Sequence, residues 1–249
     1  MGPRTIGSLY FFATCLLAAT PGQQPLSGDE ILARTAENAA HRHAALREYA
    51  GTRHYTISNR RFNKEATGTV RMSYVEGQGA HLKVLASAGS EKLTRVLDRI
   101  VGSEEELSKS SERQRSEISP ANYTARVIGT ESVAGHNCYV LALTPRSKSK
   151  SLIEGKAWIE AAKFALVRVE GQFAASVSAF LGRPYFLQEF AEIGGYWLPT
   201  HAKATSSTFL LGVSELEVFY LEYEVGRERY QPSQTYAENF REMSKPTLR

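Results

Sequence analysis

The sequence predicts an α+β fold in which a strongly curved antiparallel sheet carries helices on its concave face. After residue 49, most of the chain consists of short strand-like segments joined by polar or glycine-containing turns, which favours hairpin connections over βα units. About ten such strands cannot remain flat and open, so the sheet should curl strongly or close. Two amphipathic helical segments need an apolar surface to cover, and the concave face supplies one.

The composition is that of a globular protein. The chain has 249 residues, of which 42% are hydrophobic and 22% charged, enough to build a substantial core. Lysine and arginine total 30 against 26 acidic residues, a formal charge of +4, and the two signs are interspersed. Because no single basic block stands out, no nucleic acid partner is expected.

The first segment has the features of an export signal. Arg4 precedes an apolar run over 6–19, and the chain turns polar after Pro21. The run is shorter than the roughly 20 residues that span a bilayer, so residues 1–22 are predicted to be a secretory signal peptide, with an uncleaved anchor as the alternative. Signal removal leaves Cys138 without an internal disulfide partner, and it is expected to be a buried strand residue. We therefore expect a periplasmic protein with one domain over 27–225 and a polar tail over 226–249.

Local signals predict two helices. Ser27 and Glu30 fit a capping box at the start of a helix over 28–48. Its apolar stripe, at spacings of four and three, consists of Leu32, Ala36, Ala39, His43 and Leu46. A second stripe predicts a helix over 91–107, and the Ser-, Glu- and Arg-rich segment 103–117 is expected to be a solvated helix end and mobile connection.

The remaining segments are predicted strands. They cover 53–58, 68–74, 81–85, 123–133, 138–143, 155–160, 164–170, 184–193, 196–199 and 213–225. In the last of these, strict alternation places Val213, Phe219, Leu221 and Tyr223 on one face and Leu216, Val218 and Tyr220 on the other.

No motif for chemistry is present in the sequence. Phosphate-binding loops, the Gly-x-Ser-x-Gly elbow and the His-Glu-x-x-His zinc motif are all missing, and the histidines are scattered. The chain is therefore predicted to be a non-enzyme without cofactor, metal or catalytic residue. An exported hydrolase whose active residues are dispersed over distant strands is the alternative.

Aromatic residues are concentrated on the strands of the second half, where several strands carry apolar groups on both faces. Ordinary core packing accounts for most of them. An excess of apolar surface on the concave side would also leave a hydrophobic cavity that needs no polar chemistry to bind a ligand. The candidate lining residues are Leu97, Val101, Trp158, Phe173, Phe190, Trp197 and Phe219.

Four motifs in fixed order carry a resemblance to a known family. They are CYVLALTP at 138–145, GKAWIE at 155–160, ALVRVE at 165–170 and GYWLP at 195–199. In this order they resemble the outer-membrane lipoprotein-sorting proteins, the LolA-like superfamily. The match covers about 139–225, and the export signal and leading helix agree with it.

The resemblance implies a half β-barrel closed by a helical lid, to which the helix at 91–107 would belong. It implies a carrier whose partners are lipid or lipoprotein acyl chains, a membrane-complex donor and an outer-membrane acceptor. An envelope-stress sensor or protein-binding scaffold of the same fold is the alternative. The charged segment 103–117 and the polar tail depart from the family pattern, and no residue here matches its lid-latching arginine. No individual functional residue is therefore carried over.

Overall fold

The structure is a computed structural model that describes residues 25–178 and 181–231. The predicted signal peptide at 1–22 lies outside the described residues. In chain order the elements are α1 (Gly28–Ala45), β1 (Glu48–Asn59), β2 (Lys64–Val75), β3 (Gly79–Gly89), α2 (Glu91–Leu107), α3 (Ser110–Ser116), β4 (Tyr123–Val133), β5 (His136–Pro145), β6 (Ile153–Glu160), β7 (Leu166–Phe173), β8 (Tyr185–Ile193), β9 (Tyr196–Thr208), β10 (Gly212–Val225) and β11 (Glu228–Tyr230). The last strand falls in the segment that was expected to be a polar tail.

The strands form one antiparallel sheet that does not close. Its order is β3-β2-β1-β10-β9-β8-β7-β6-β5-β4, with β11 added beside β10. Strands β3 and β4 are the two edges. The predicted fold class, an incomplete curved β-barrel with α+β content, is confirmed.

Both main helices cover the same face of the sheet. This face can be followed as a row of directly opposed residues, which runs Gly68, Tyr55, Val218, Ala202, Gln188, Val169, Ala157 and Leu141. Leu97 of α2 lies directly over Gly68 at one end of the row, while Ile31 of α1 packs in one cluster with Leu141 at the other. The row therefore marks the concave face, covered from both sides.

Helix α1 begins with the predicted capping box. The Ser27 hydroxyl accepts a hydrogen bond from the Glu30 amide at 3.2 Å, and the Glu30 carboxylate accepts one from the Ser27 amide at 2.8 Å. The helix ends three residues earlier than predicted. The reason is the C-cap, where Leu46 donates its amide to the Arg42 carbonyl before β1 begins at Glu48.

Helix α2 has the predicted bounds, but the segment that follows is not the expected connection. It contains the short helix α3, which is anchored to the sheet because Arg113 donates a hydrogen bond to the Tyr74 hydroxyl at 2.7 Å. Charge density along 103–117 therefore reflects specific contacts as well as solvation.

The strict alternation predicted for β10 is wrong at one position. Thr52 is opposite Glu222 and Arg53 is opposite Tyr220, so Leu221 has no partner on β1 and forms a bulge. Beyond the bulge the facing of the side chains reverses. Tyr223 consequently shares the concave face with Tyr220, and the two rings stack with centroids 6.1 Å apart.

Close backbone approach fixes α1 against the edge strand β4. A Cβ atom added at Gly28 would lie 2.3 Å from the Ala125 carbonyl oxygen. The Asp29 carboxylate also accepts a hydrogen bond from the Ala125 amide at 2.8 Å. Only glycine permits this approach without displacing the helix.

We expect Gly28→Ala to lower the free energy of unfolding by about 1–3 kcal/mol, because the new methyl group overpacks against a backbone that cannot move aside. Gly102→Ala is the matched control, since Gly102 lies within α2 with nothing within 4 Å of an added Cβ. That substitution should raise stability by about 1 kcal/mol through helix propensity. Urea unfolding measures both, and equal effects of the two alanines would contradict the packing account.

Candidate functional site

The middle of the concave face lies between the two helices. The main packing contacts of α2 fall on β1, β2 and β3, and those of α1 fall on β4 and on the apolar cluster of β5–β7. Strands β8 and β9 run between these two areas. We call their inward-facing residues, with their neighbour on β10, the central floor: Phe186, Gln188, Ala202, Ala204 and Leu216.

Burial varies along the inward-facing residues of these strands. At the β8–β9 turn, Ile193 and Leu198 are buried. Toward the opposite end of the same strands, Phe186, Ala204 and Leu216 are only half-buried. The next inward-facing residue of β9, Ser206, is buried again. The side chains of the floor are apolar except for Gln188, and two are alanine, so the floor is a low, apolar surface with a half-buried end.

Aromatic rings and the half-buried Arg42 occupy the other end. The Tyr49 ring lies 5.1 Å from that of Tyr74 and 6.2 Å from that of Tyr223, measured between centroids. Arg42 donates a hydrogen bond to the Trp197 carbonyl at 2.8 Å, which ties the end of α1 to β9. Burial and the neighbouring Arg42 guanidinium lower the pKa of His43 to about 4, so this imidazole is neutral at pH 7.

A buried polar cluster holds α2 on the sheet. Arg53 of β1 forms an ion pair with Glu104 of α2 at 2.7 Å, and the Tyr55 hydroxyl donates to the same carboxylate oxygen at 2.9 Å. The Arg53 guanidinium also lies 4.8 Å above the Tyr220 ring. Burial, with the nearby Glu104 carboxylate, raises the pKa of Tyr55, so its hydroxyl remains a donor. These contacts hold the C-terminal half of α2 on the sheet.

Four of the predicted lining residues lie on or beside the concave side. Leu97 and Val101 are buried on the inner face of α2. Phe173 packs against Phe186 with ring centroids 5.6 Å apart. Phe190 contacts both the cluster under α1 and the tryptophan cluster described next.

The other three predicted lining residues lie elsewhere. Trp158 and Trp197 belong to a separate cluster, the tryptophan cluster, with Cys138, Val140, Ala165 and Val167. Trp158 is on the convex face because it alternates with Ala157 of the concave row. Phe219 is also on the convex face, opposite His201. The seven predicted residues therefore do not form one surface.

The central floor itself was missed, although the sequence contains a signal for it. On β9, Ala202 and Ala204 flank Lys203, whose side chain points to the opposite face. Small apolar residues alternating with a charge indicate a half-solvated strand with a low inner surface. The sequence prediction selected mainly bulky aromatic residues instead.

A compact ionisable cluster on the convex face is centred on His201. His201 lies between two carboxylates, with Nδ1 3.1 Å from Glu189 and Nε2 3.0 Å from Glu217, and its ring stacks on Phe219 at 4.9 Å. Burial alone would lower the pKa of His201, but the hydrogen bonds to both carboxylates outweigh it and raise the pKa to about 9. The cluster is therefore a doubly paired imidazolium at pH 7.

Metal-binding groups and membrane-spanning helices are both absent from the described residues. No group of three or more His, Cys, Asp or Glu side chains within 25–178 and 181–231 is arranged to hold a metal ion. In the same ranges, no helix has the length and apolar character needed to cross a membrane.

The pairing of His201 predicts a pH-dependent stability. Its folded-state pKa of about 9 exceeds the unfolded value near 6.5, so the stabilisation is complete below pH 6.5 and is lost as the pH rises through 9. We expect His201→Gln to cost up to about 3 kcal/mol at pH 6 and much less at pH 10. Urea unfolding of both proteins at several pH values measures this difference.

His81→Gln, which removes a largely exposed ring, is the control for loss of a histidine. If the free energies of unfolding of wild type and His201→Gln differed by the same amount from pH 6 to pH 10, the charged pairing would be excluded.

Comparison with known proteins gives a partial family match. A family model described as that of an uncharacterized protein matches residues 98–209, less than half of the chain. No curated protein matches the sequence.

Several solved structures are similar to this chain at low identity. A LolA superfamily protein from Nitrosomonas europaea is 13% identical with a TM-score of 0.45, over 85% of this chain and 100% of that one. A domain assigned as an outer membrane lipoprotein-sorting protein from Vibrio parahaemolyticus is 15% identical with a TM-score of 0.44, over 83% and 97%. The MucA/MucB complex from Pseudomonas aeruginosa is 9% identical with a TM-score of 0.26, over 81% of this chain and 100% of that one.

Proposed function

We propose that this chain is a non-enzymatic periplasmic carrier or binder of lipidated molecules. On this proposal, acyl chains lie on the central floor between α1 and α2. The observation that supports it is the accessible apolar end of that floor, where Phe186, Ala204 and Leu216 are half-buried in the middle of an otherwise covered face. Sorting of lipoproteins to an outer-membrane acceptor, received from a membrane-complex donor, is the specific form that the motif resemblance favours.

The energetics of such a site need no polar chemistry. Burying one methylene group gains about 0.8 kcal/mol, so an acyl chain of about 14 carbons gains roughly 11 kcal/mol before ordering costs. Those costs reduce the net affinity to a range that permits release. A carrier therefore needs apolar area and a removable cover more than specific side chains.

Within this proposal, α2 forms one side of the site. Leu97 and Val101 present its inner face to the sheet, and Phe173 borders the floor at Phe186. Arg53 and Glu104 fasten the helix by an ion pair that could be broken and remade. We propose Leu97, Val101, Phe173 and Phe190 as the lining residues among the seven predicted.

The first experiment asks whether lipid accompanies the protein. Native mass spectrometry of protein purified gently from cells should show bound phospholipid or lipopeptide, and a fluorescent fatty acid should bind the delipidated protein. Bare protein together with no fatty-acid binding would contradict the carrier proposal.

The second experiment places the ligand on the floor. We expect Ala204→Trp to weaken fatty-acid binding at least about ten-fold, because the indole occupies the accessible end of the floor. Lys203→Trp is the matched control: it adds the same ring to the same strand on the opposite face, and binding should be unchanged. Thermal unfolding of both variants monitors folding. Equal binding by both would contradict the assignment of the floor.

A protein-binding scaffold is the second candidate function. The supporting observation is the edge strand β3, whose second half is exposed, including Leu85 at 55%. An edge strand presents unpaired backbone groups to which a partner segment can add. Capture of one defined envelope protein by the purified chain, abolished by a proline at an outward-facing position of 85–88, would favour this function over lipid carriage.

A further inference from the structure

Four hairpin connections lie side by side at one end of the sheet. They join β1 to β2, β9 to β10, β7 to β8 and β5 to β6, and the order of the strands makes them neighbours. Hydrogen bonds link adjacent connections: Asn59 Nδ2 donates to the Leu211 carbonyl at 2.8 Å, and the Ser206 hydroxyl donates to the Leu181 carbonyl at 2.6 Å. The Ala174 amide donates to the Leu152 carbonyl at 2.8 Å. We call the described residues of these four segments, 60–64, 146–152, 174–178 with 181–184, and 209–211, the basic end.

The charges of the basic end are of one sign. Its four segments contain no aspartate or glutamate, and their cations are Arg60, Arg61, Lys64, Arg146, Lys148, Lys150 and Arg183. Two of these cations are paired with carboxylates of the flanking strands, Arg60 with Glu215 and Arg183 with Glu154, each at 3.1 Å. Lys148 and Lys150 are exposed. The turns at the other end of the sheet contain both signs, as Glu76 and Lys163 show.

The same end exposes large apolar side chains. Phe209 is 92% exposed, Leu210 59% and Phe62 52%. Arg61 donates a hydrogen bond to the Phe209 carbonyl at 2.6 Å, so the two turns that carry these side chains are held together. Protruding apolar groups on adjacent turns, at the same end of the sheet as these cations, are unfavourable in water unless a partner covers them.

We propose that the basic end docks on the surface of an anionic phospholipid bilayer. Phe62, Phe209 and Leu210 would enter the interface between head groups and acyl chains, while the surrounding lysines and arginines contact phosphate groups. Apolar insertion and charge attraction reinforce each other in this arrangement, since neither alone gives stable attachment. An acidic protein would match the charges, but it would not account for apolar side chains at the outermost point of the turns.

The docking surface lies at the accessible end of the central floor. Leu216 and Ala204 are directly opposed on β10 and β9, a few residues from the connection that carries Phe209. A docked molecule would therefore present that end of the floor to the bilayer. The docking proposal does not rest on the proposed function, because a surface can bind vesicles whether or not the floor takes a ligand.

Cosedimentation with large unilamellar vesicles tests the proposal. The soluble protein purified from cells should bind vesicles of phosphatidylcholine with about 30 mol% phosphatidylglycerol, and bind phosphatidylcholine alone at least about ten-fold more weakly. Raising the salt from about 0.1 M to about 0.5 M should weaken binding to the anionic vesicles several-fold, because it screens the exposed cations. Binding that is absent, or equal on both compositions, would overturn the proposal.

Two double variants separate the two components of the surface. Phe209→Ser with Leu210→Ser should reduce binding at least about ten-fold while leaving the salt dependence in place. Lys148→Gln with Lys150→Gln should reduce it by about five-fold per charge and flatten the salt dependence. These positions are on exposed turns, so thermal unfolding should match wild type.

The controls are surface residues at the other end of the sheet. Leu107→Ser removes an exposed leucine at the end of α2, and Lys163→Gln removes an exposed lysine of the β6–β7 turn. Neither should change vesicle binding. Equal loss in the controls would mean that attachment is non-specific, and would overturn the assignment to the basic end.

Discussion

The structure depends on one constraint: an open sheet with a large apolar face must cover that face without a second sheet. The chain meets it with one helix from each side, α1 beside β4 and α2 over β1–β3. Close approach is possible because one side of each helix contact is glycine, Gly28 of α1 against Ala125 and Gly68 of β2 under Leu97. Because the sheet is wider than two helices, its middle strands receive the least cover. The central floor is a consequence of that mismatch in width.

Strand alternation divides the molecule into two chemically different surfaces. Inward positions are mostly apolar apart from Arg53 and Gln188, whereas outward positions carry both the apolar tryptophan cluster and paired charges, such as His201 between Glu189 and Glu217. The paired charges of the convex face are satisfied within the protein. Fewer of the cations of the basic end are paired with a carboxylate, and exposed aromatic side chains accompany them. The features available to a ligand or a membrane are therefore on the concave face and at one end of the sheet, whereas the convex face is satisfied by its own pairs.

Much of the fold could be predicted because its signals are local. The Ser27–Glu30 capping box and the apolar stripe of α2 fix helix ends within the sequence itself, and turn residues mark most strands. The candidate site could not be predicted in the same way. Facing depends on register, so Trp158 and Phe219 fall on the convex face, and the bulge at Leu221 reverses Tyr223. The floor combines two alanines with one phenylalanine, one glutamine and one leucine, a set that composition does not single out.

The connections of α2 bear on how it could move. A single residue, Ser90, separates the end of β3 from the start of α2, whereas six residues separate α3 from the opposite edge strand β4. Glu104 lies about 20 Å along the helix from Ser90, at 1.5 Å per residue. The far end of the helix is held to the sheet by side chains, since the Ala80 amide donates to the Ser108 hydroxyl and Arg113 of α3 donates to the Tyr74 hydroxyl, each at 2.7 Å. The bond between Glu104 and Arg53 belongs to this second attachment, so a swing of α2 about Ser90 requires the polar contacts of both α2 and α3 to break.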